Sequence, residues 1–276
     1  MFSLAITLHP AKRPFQTTPT IYPFRAKNYL STTVPAWGPR NPSKRDPTED
    51  TRRQVADRLE RIMDMNGHRI WGFVLYRCTY KSDSDWEKFM HQYLKPVQTS
   101  LKKNNGLDIL DRFRPTVFED QRFDGASSFT IRDHFNKWVA TASQQEQGIP
   151  AEVALATDPG RYKFCLMVDE ESLQSVIDRP ADMEEDDDER DHSAFVILVS
   201  GRWNPEMEEI DDEELEGYGG FYEPEVFDAV DGCTEWDVGC MRVRYNKIQL
   251  RGYVEMNGRL DWEMHYCRVP EVGFRY

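Results

Sequence analysis

The stretch Ile70–Tyr80, IWGFVLYRCTY, is apolar or aromatic at nearly every position and lies between His68-Arg69 and Lys81-Ser82-Asp83. A run of this length and composition reads as a strand buried on both faces, in the middle of a sheet. Strand alternation sets Trp71, Phe73, Leu75, Arg77 and Thr79 on one face and Ile70, Gly72, Val74, Tyr76, Cys78 and Tyr80 on the other. Arg77 is the anomaly, because a guanidinium inside an apolar strand must find a partner. The acids Glu119 and Asp120, after the next short apolar run, are the expected partners, and a carboxylate ligand is the alternative.

On either side the period changes from two to 3.6. Upstream, Asp46, Pro47 and Glu49 have the order of an N-cap, a first-turn proline and a capping-box acid. Val55, Leu59, Ile62 and Met63 then share one face and Gly67 ends the run, so a helix of about five turns is expected. Downstream, Ser82-Asp83-Ser84 caps a second helix carrying Trp86, Phe89, Met90, Tyr93, Leu94, Val97 and Leu101 as its apolar stripe. Pro96 should kink or divide it.

The same order then repeats. Pro115–Glu119 reads as a short strand and Thr130–Ala142 as a helix through Ile131, Phe135, Trp138 and Val139. Tyr162–Val168 reads as a strand, and Asp169 caps a short helix with Leu173, Val176 and Ile177. Ala194–Val199 and Val238–Tyr245 supply two more strands. Residues 46–276 are therefore expected to form a single α+β domain, one sheet of about five strands packed by helices. A ferredoxin-like or barrel-like topology is the expected arrangement and a doubly wound parallel sheet its rival.

The charge is uneven. The chain has 276 residues with 35 basic and 48 acidic side chains, hence 35 − 48 = −13. Residues 1–45 hold seven basic residues, no acid and seven prolines, and read as a disordered basic tail or a mitochondrial targeting extension. Eight acids against Arg190 fill 182–191 (DMEEDDDERD), and fourteen against Arg202 fill 202–237. Both runs are expected to be solvated acidic loops, since that density of charge resists desolvation. The acidic balance argues against sequence-independent nucleic-acid binding, and no apolar stretch approaches the ~20 residues that span a bilayer. Five cysteines at irregular spacing fit reduced thiols in an intracellular protein.

The segments WGFVLYRCTYKSDSDWEKFM, VFEDQRFDGAS, RYKFCLMVDEESLQSVI and DVGCMRV resemble a family of uncharacterised proteins widespread in filamentous ascomycete fungi. The resemblance covers roughly residues 69 to 250. It implies a fungal, intracellular origin and carries over no catalytic residue.

Motifs of known chemistry are missing from the sequence: there is no G-x-x-x-x-G-K-[ST], G-x-S-x-G, H-E-x-x-H or C-x-x-C. Cys233, Cys240, His265 and Cys267 could supply zinc donors, but their spacing fits no common knuckle, so no metal is expected. The acid–base candidates are Glu87 with His91, one helical turn apart, and His134 beside Asp133; surface pairs of this kind are common. For ligand binding the candidates are Arg77, Tyr76 and Tyr80. The preferred function is a non-enzymatic, cytoplasmic interaction protein that meets a protein partner through its acidic loops, without cofactor, nucleic acid or membrane. The alternative is a cofactor-independent enzyme or binding protein with a small molecule in an aromatic-lined pocket, where Arg77, Tyr76, Tyr80, His91 and His134 converge.

Overall fold

The computed structural model describes residues 41–156, 160–179, 194–204, 227–258 and 261–273. The chain divides into Met1–Trp37 and Gly38–Tyr276, and the first part lies outside the described residues, as do the acidic run 182–191 and residues 205–226 of the second run.

The expected sheet packed by helices is present, with six strands among the described residues. They are β1 (Val74–Arg77), β2 (Thr116–Phe118), β3 (Phe164–Val168), β4 (Phe195–Ser200), β5 (Cys240–Arg244) and β6 (Val272–Gly273). Their order is β2-β1-β3-β4-β5-β6, so β2 and β6 are open edges. β1 is parallel to both β2 and β3, β4 is antiparallel to β3 and β5, and β6 runs parallel to β5. An open sheet with three parallel strands is neither barrel-like nor ferredoxin-like. The first half follows the doubly wound rival, with long helices between its parallel strands; β3, β4 and β5 then run antiparallel and β6 returns parallel to β5.

Residues 46–54, expected as the first turns of a helix, make turns instead. Asp46 accepts from the Thr48 N–H and Asp50 from the Arg52 N–H, so each short carboxylate satisfies a local donor in a non-helical conformation. The first helix, α1, is therefore Val55–Asn66, capped by Gln54, and ends where Gly67 takes φ 67°. Residues 41–45, assigned by composition to the tail, belong to the folded body. Ser43 is buried, and Arg45 reaches Asp57, Glu60 and Asp108.

Ser82 caps α2 (Asp83–Lys103), which passes through Pro96 without dividing. Tyr93, Val97 and Leu101 are buried on both sides of the proline, and that packing holds the helix together. The next helices are α3 (Ser128–Gln147), α4 (Ala151–Ala156), α5 (Gly160–Lys163) and α6 (Glu170–Ile177). A π-helical turn at Ile248–Gly252 runs into α7 (Tyr253–Glu255), and α8 (Asp261–His265) precedes β6.

The alternation holds from Trp71 to Cys78 and divides the core. Trp71, Phe73 and Leu75 pack with α1, α2, α6 and the π-helical turn on one side of the sheet. Val74, Tyr76 and Cys78 pack with Ile131, Phe135 and Val139 of α3 on the other. Helices thus cover both faces. No helix among the described residues is long and apolar enough to cross a membrane.

Candidate functional site

In a doubly wound sheet, ligands favour the crevice beyond the carboxyl ends of the strands, where successive connections leave in opposite directions. Here α2 carries the chain from β1 to β2, and α3 carries it back across β1 to β3 on the other face. The divergence falls between the ends of β1 and β3, at Arg77–Tyr80 and Asp169–Glu171.

This crevice is filled by the protein's own groups. The ladder continues past the strands through the Cys78 N–H to the Val168 carbonyl at 2.8 Å. Thr79 Oγ1 donates to Glu170 at the start of α6. Arg77, buried to all but 5% of its side chain, donates from Nε to the Thr79 carbonyl (2.9 Å), from Nη2 to Asp83 (2.5 Å) and from Nη1 to Glu119 (3.4 Å). Its guanidinium carbon lies 4.3 Å from the Tyr80 ring centre and 5.2 Å from that of Trp86. The expected partner Glu119 is therefore present and Asp83 lies closer, while Asp120 bonds Arg122 instead. Tyr80 was expected on the face of Tyr76; the strand ends at Arg77, and beyond it the tyrosine turns to the guanidinium. Burial raises its phenol to about 12, against the opposing charge of Arg77.

Tyr76 and His134 do meet, on the opposite face. The Tyr76 hydroxyl is 2.9 Å from His134 Nδ1, among Phe118 and Phe123. Burial lowers the His134 pKa, with the Arg122 charge adding to it, and burial raises that of Tyr76. Both are therefore neutral at pH 7 and share one hydrogen bond, whose direction is set by the imidazole tautomer. Glu87 and His91 are exposed on α2 and have no part in either cluster. The five groups expected to converge are thus separated by the sheet and by the outer side of α2.

An open groove of about 600 Å³ lies elsewhere, lined by Lys44, Arg45, Lys102, Asn105, Leu107 and Asp108. Among the described residues, no three His, Cys, Asp or Glu side chains gather so as to hold a metal ion. Cys240 is buried at the start of β5, where burial raises its thiol to about 11, and all five cysteines are free.

Sequence reading missed the most elaborate polar cluster, at the other end of the parallel strands. Arg161, 1% exposed, donates to Glu146 through Nε (2.8 Å) and Nη2 (2.6 Å). It also donates to the Gly72 and Arg114 carbonyls (2.6 and 3.0 Å) and to Thr116 Oγ1 (2.7 Å). All five guanidinium donors are used. Tyr162, next to Arg161 on α5, donates to the same carboxylate at 2.9 Å. Beside it His68 is buried, its ring edge-on to Tyr162, and burial lowers its pKa to about 4, with the charges of Arg161 and Arg112 adding to the effect. The available signal was Arg161 preceding an apolar strand, with Glu146 fifteen residues earlier.

No protein-family model, no curated protein and no solved structure matches this chain.

Proposed function

We propose that the chain is a non-enzymatic interaction protein whose acidic surface engages a basic partner. The observation that supports this reading is that the candidate chemical groups pair with one another. Arg77 is held by Asp83 and Glu119, Thr79 by Glu170, and Tyr76 by His134. Enzymatic chemistry would require some of these groups to meet in one pocket, and they lie on opposite faces of β1.

The described residues that flank one acidic run also support the reading. Residues 180–193, which include DMEEDDDERD, join Arg179 to Ala194. Arg179 donates to the Tyr245 hydroxyl at 2.6 Å, and the Tyr245 N–H points to the Ala194 carbonyl. Arg179 and Ala194, the described residues on either side of that run, therefore lie beyond the carboxyl end of β5.

Titration of the full chain with a fluorescent ten-residue oligolysine tests the reading. Saturable binding that weakens steeply between low and moderate salt is expected, because the attraction is screened. Anisotropy that stays flat at low salt would remove the proposal.

A further inference from the structure

Residues 227–237, read by charge as the end of an acidic loop, form a tethered hairpin. Val230 and Cys233 exchange both backbone hydrogen bonds at 2.9 Å around Asp231 (φ 48°) and Gly232 (φ 87°), the left-handed pair that a two-residue hairpin turn requires. The hairpin is held from several sides. Asp231 accepts from the Ser128 N–H in the first turn of α3 at 2.7 Å. Buried Arg268 donates to the carbonyls of Asp228 (2.6 Å), Glu235 and Trp236 (3.1 Å). Asp237 accepts from Trp262 Nε1 at 2.6 Å, and the Tyr266 hydroxyl donates to the Trp236 carbonyl at 2.8 Å.

This framework fixes the backbone of Trp236 and leaves its indole 55% exposed, the most exposed tryptophan among the described residues. The ring packs against Phe227 at 5.3 Å and Tyr266 at 6.0 Å. The series continues inward through Trp262 to Phe164 in the core. A large aromatic side chain held rigidly at the surface contributes contact area to a partner at little cost in conformational entropy.

Among the described residues, the exposed charges next to these rings in the chain are acidic. Asp228 follows Phe227, Glu235 precedes Trp236, and Glu263 lies one helical turn before Tyr266; all three are exposed. Arg268 is buried, its donors on carbonyls and its guanidinium carbon 5.1 Å from the Phe227 ring centre, so one side of Phe227 already carries a cation and Trp236 is the ring left open. An open aromatic platform flanked by carboxylates suits a planar cation, which stacks on the ring while its edge meets the acids. A small molecule favours a concave site, whereas a platform suits an extended chain.

Resting on the interaction reading above, we propose that Trp236, with Phe227 and Tyr266, is the docking platform for an extended arginine-containing segment of a partner protein. A guanidinium stacks on the Trp236 indole and is flanked by Glu235 and Asp228.

The test uses the full chain and a fluorescein-labelled peptide of alternating arginine and proline, which stays extended. Anisotropy is expected to saturate for the wild type. Trp236→Ala should weaken binding by about tenfold or more, and Trp236→Phe, which keeps a ring, by about threefold or less. Glu235→Gln with Glu263→Gln should weaken it and flatten its salt dependence. If Trp236→Ala melts early, Glu235→Lys with Glu263→Lys, on exposed side chains, replaces it, with a loss of about tenfold or more expected. Unchanged affinity in the ring and charge variants overturns the platform and leaves the interaction reading standing, since the peptide then binds elsewhere. No binding of this peptide or of oligolysine to the wild type overturns both. A dimer that sediments as such only while Trp236 is present also overturns the proposal, because the occupant is then a second copy.

Discussion

Two buried arginines stand at opposite ends of the same parallel strands. Arg161, at the amino ends of β1–β3, bonds a carboxylate that is itself only 21% exposed, together with two backbone carbonyls and a threonine. Arg77, at the carboxyl ends, reaches Asp83 and Glu119, whose side chains are 85% and 48% exposed. The chemical type is the same and the energetics differ, because the cost of breaking an ion pair depends on whether the abandoned partner can be solvated. One end of the sheet is sealed and the other is a rim.

The sharpest way to break this contrast is Arg161→Ala. It leaves Glu146 and the Gly72 and Arg114 carbonyls without their donor, and the expected loss is about 3–5 kcal/mol in urea unfolding. A loss below ~1 kcal/mol would mean that water reaches Glu146 and that this end is not sealed.

The second effect belongs to the same end and is read by pH. His68 has a folded pKa of about 4 against an ordinary 6.5, so between these values the unfolded chain binds a proton that the folded chain refuses. Its contribution is complete above pH 6.5 and is lost as pH falls towards 4, by about 3 kcal/mol in all. His68→Gln should flatten the stability profile in that window relative to wild type, whatever it does to stability at pH 7. An unaltered profile would show that the imidazole is solvated.

At the rim, Arg77→Ala should cost only ~1–2 kcal/mol, mostly the stacking on Tyr80 and Trp86, and Arg77→Met less. A cost matching that of Arg161→Ala would erase the distinction. The smallest effect is expected for Asp83→Asn, within ~0.5 kcal/mol by the same denaturation, as for other exposed pairs.

Alternation along Trp71–Cys78 and most of the stripe of α2 were legible because burial imposes a period on sequence; Tyr80 and Leu94 are the exceptions, the first beyond the strand end and the second exposed. The start of α1 was not: Asp46 and Asp50 are as good at closing turns as at capping helices, and only the tertiary contacts of Arg45 choose between them. The acid partner of Arg77 was legible in kind through Glu119, but Asp83 was assigned to the helix cap. The Arg161 cluster was hidden because its groups come from four separate segments, and the one signal, an arginine before an apolar strand, does not say which groups meet it. In 227–237 the Asp231-Gly232 turn signal was present, and the density of acids obscured it.

The edges of the sheet have a consequence for how the chain meets others. β2 has three residues and begins right after Pro115, and β6 has two, shortly after Pro270. A proline lacks the N–H that a neighbouring strand needs, and so short a ladder gives an incoming strand little to extend. Among the described residues, both flanks are thus poor templates for cross-strand aggregation, because each exposes few ladder groups for a neighbouring chain to pair with.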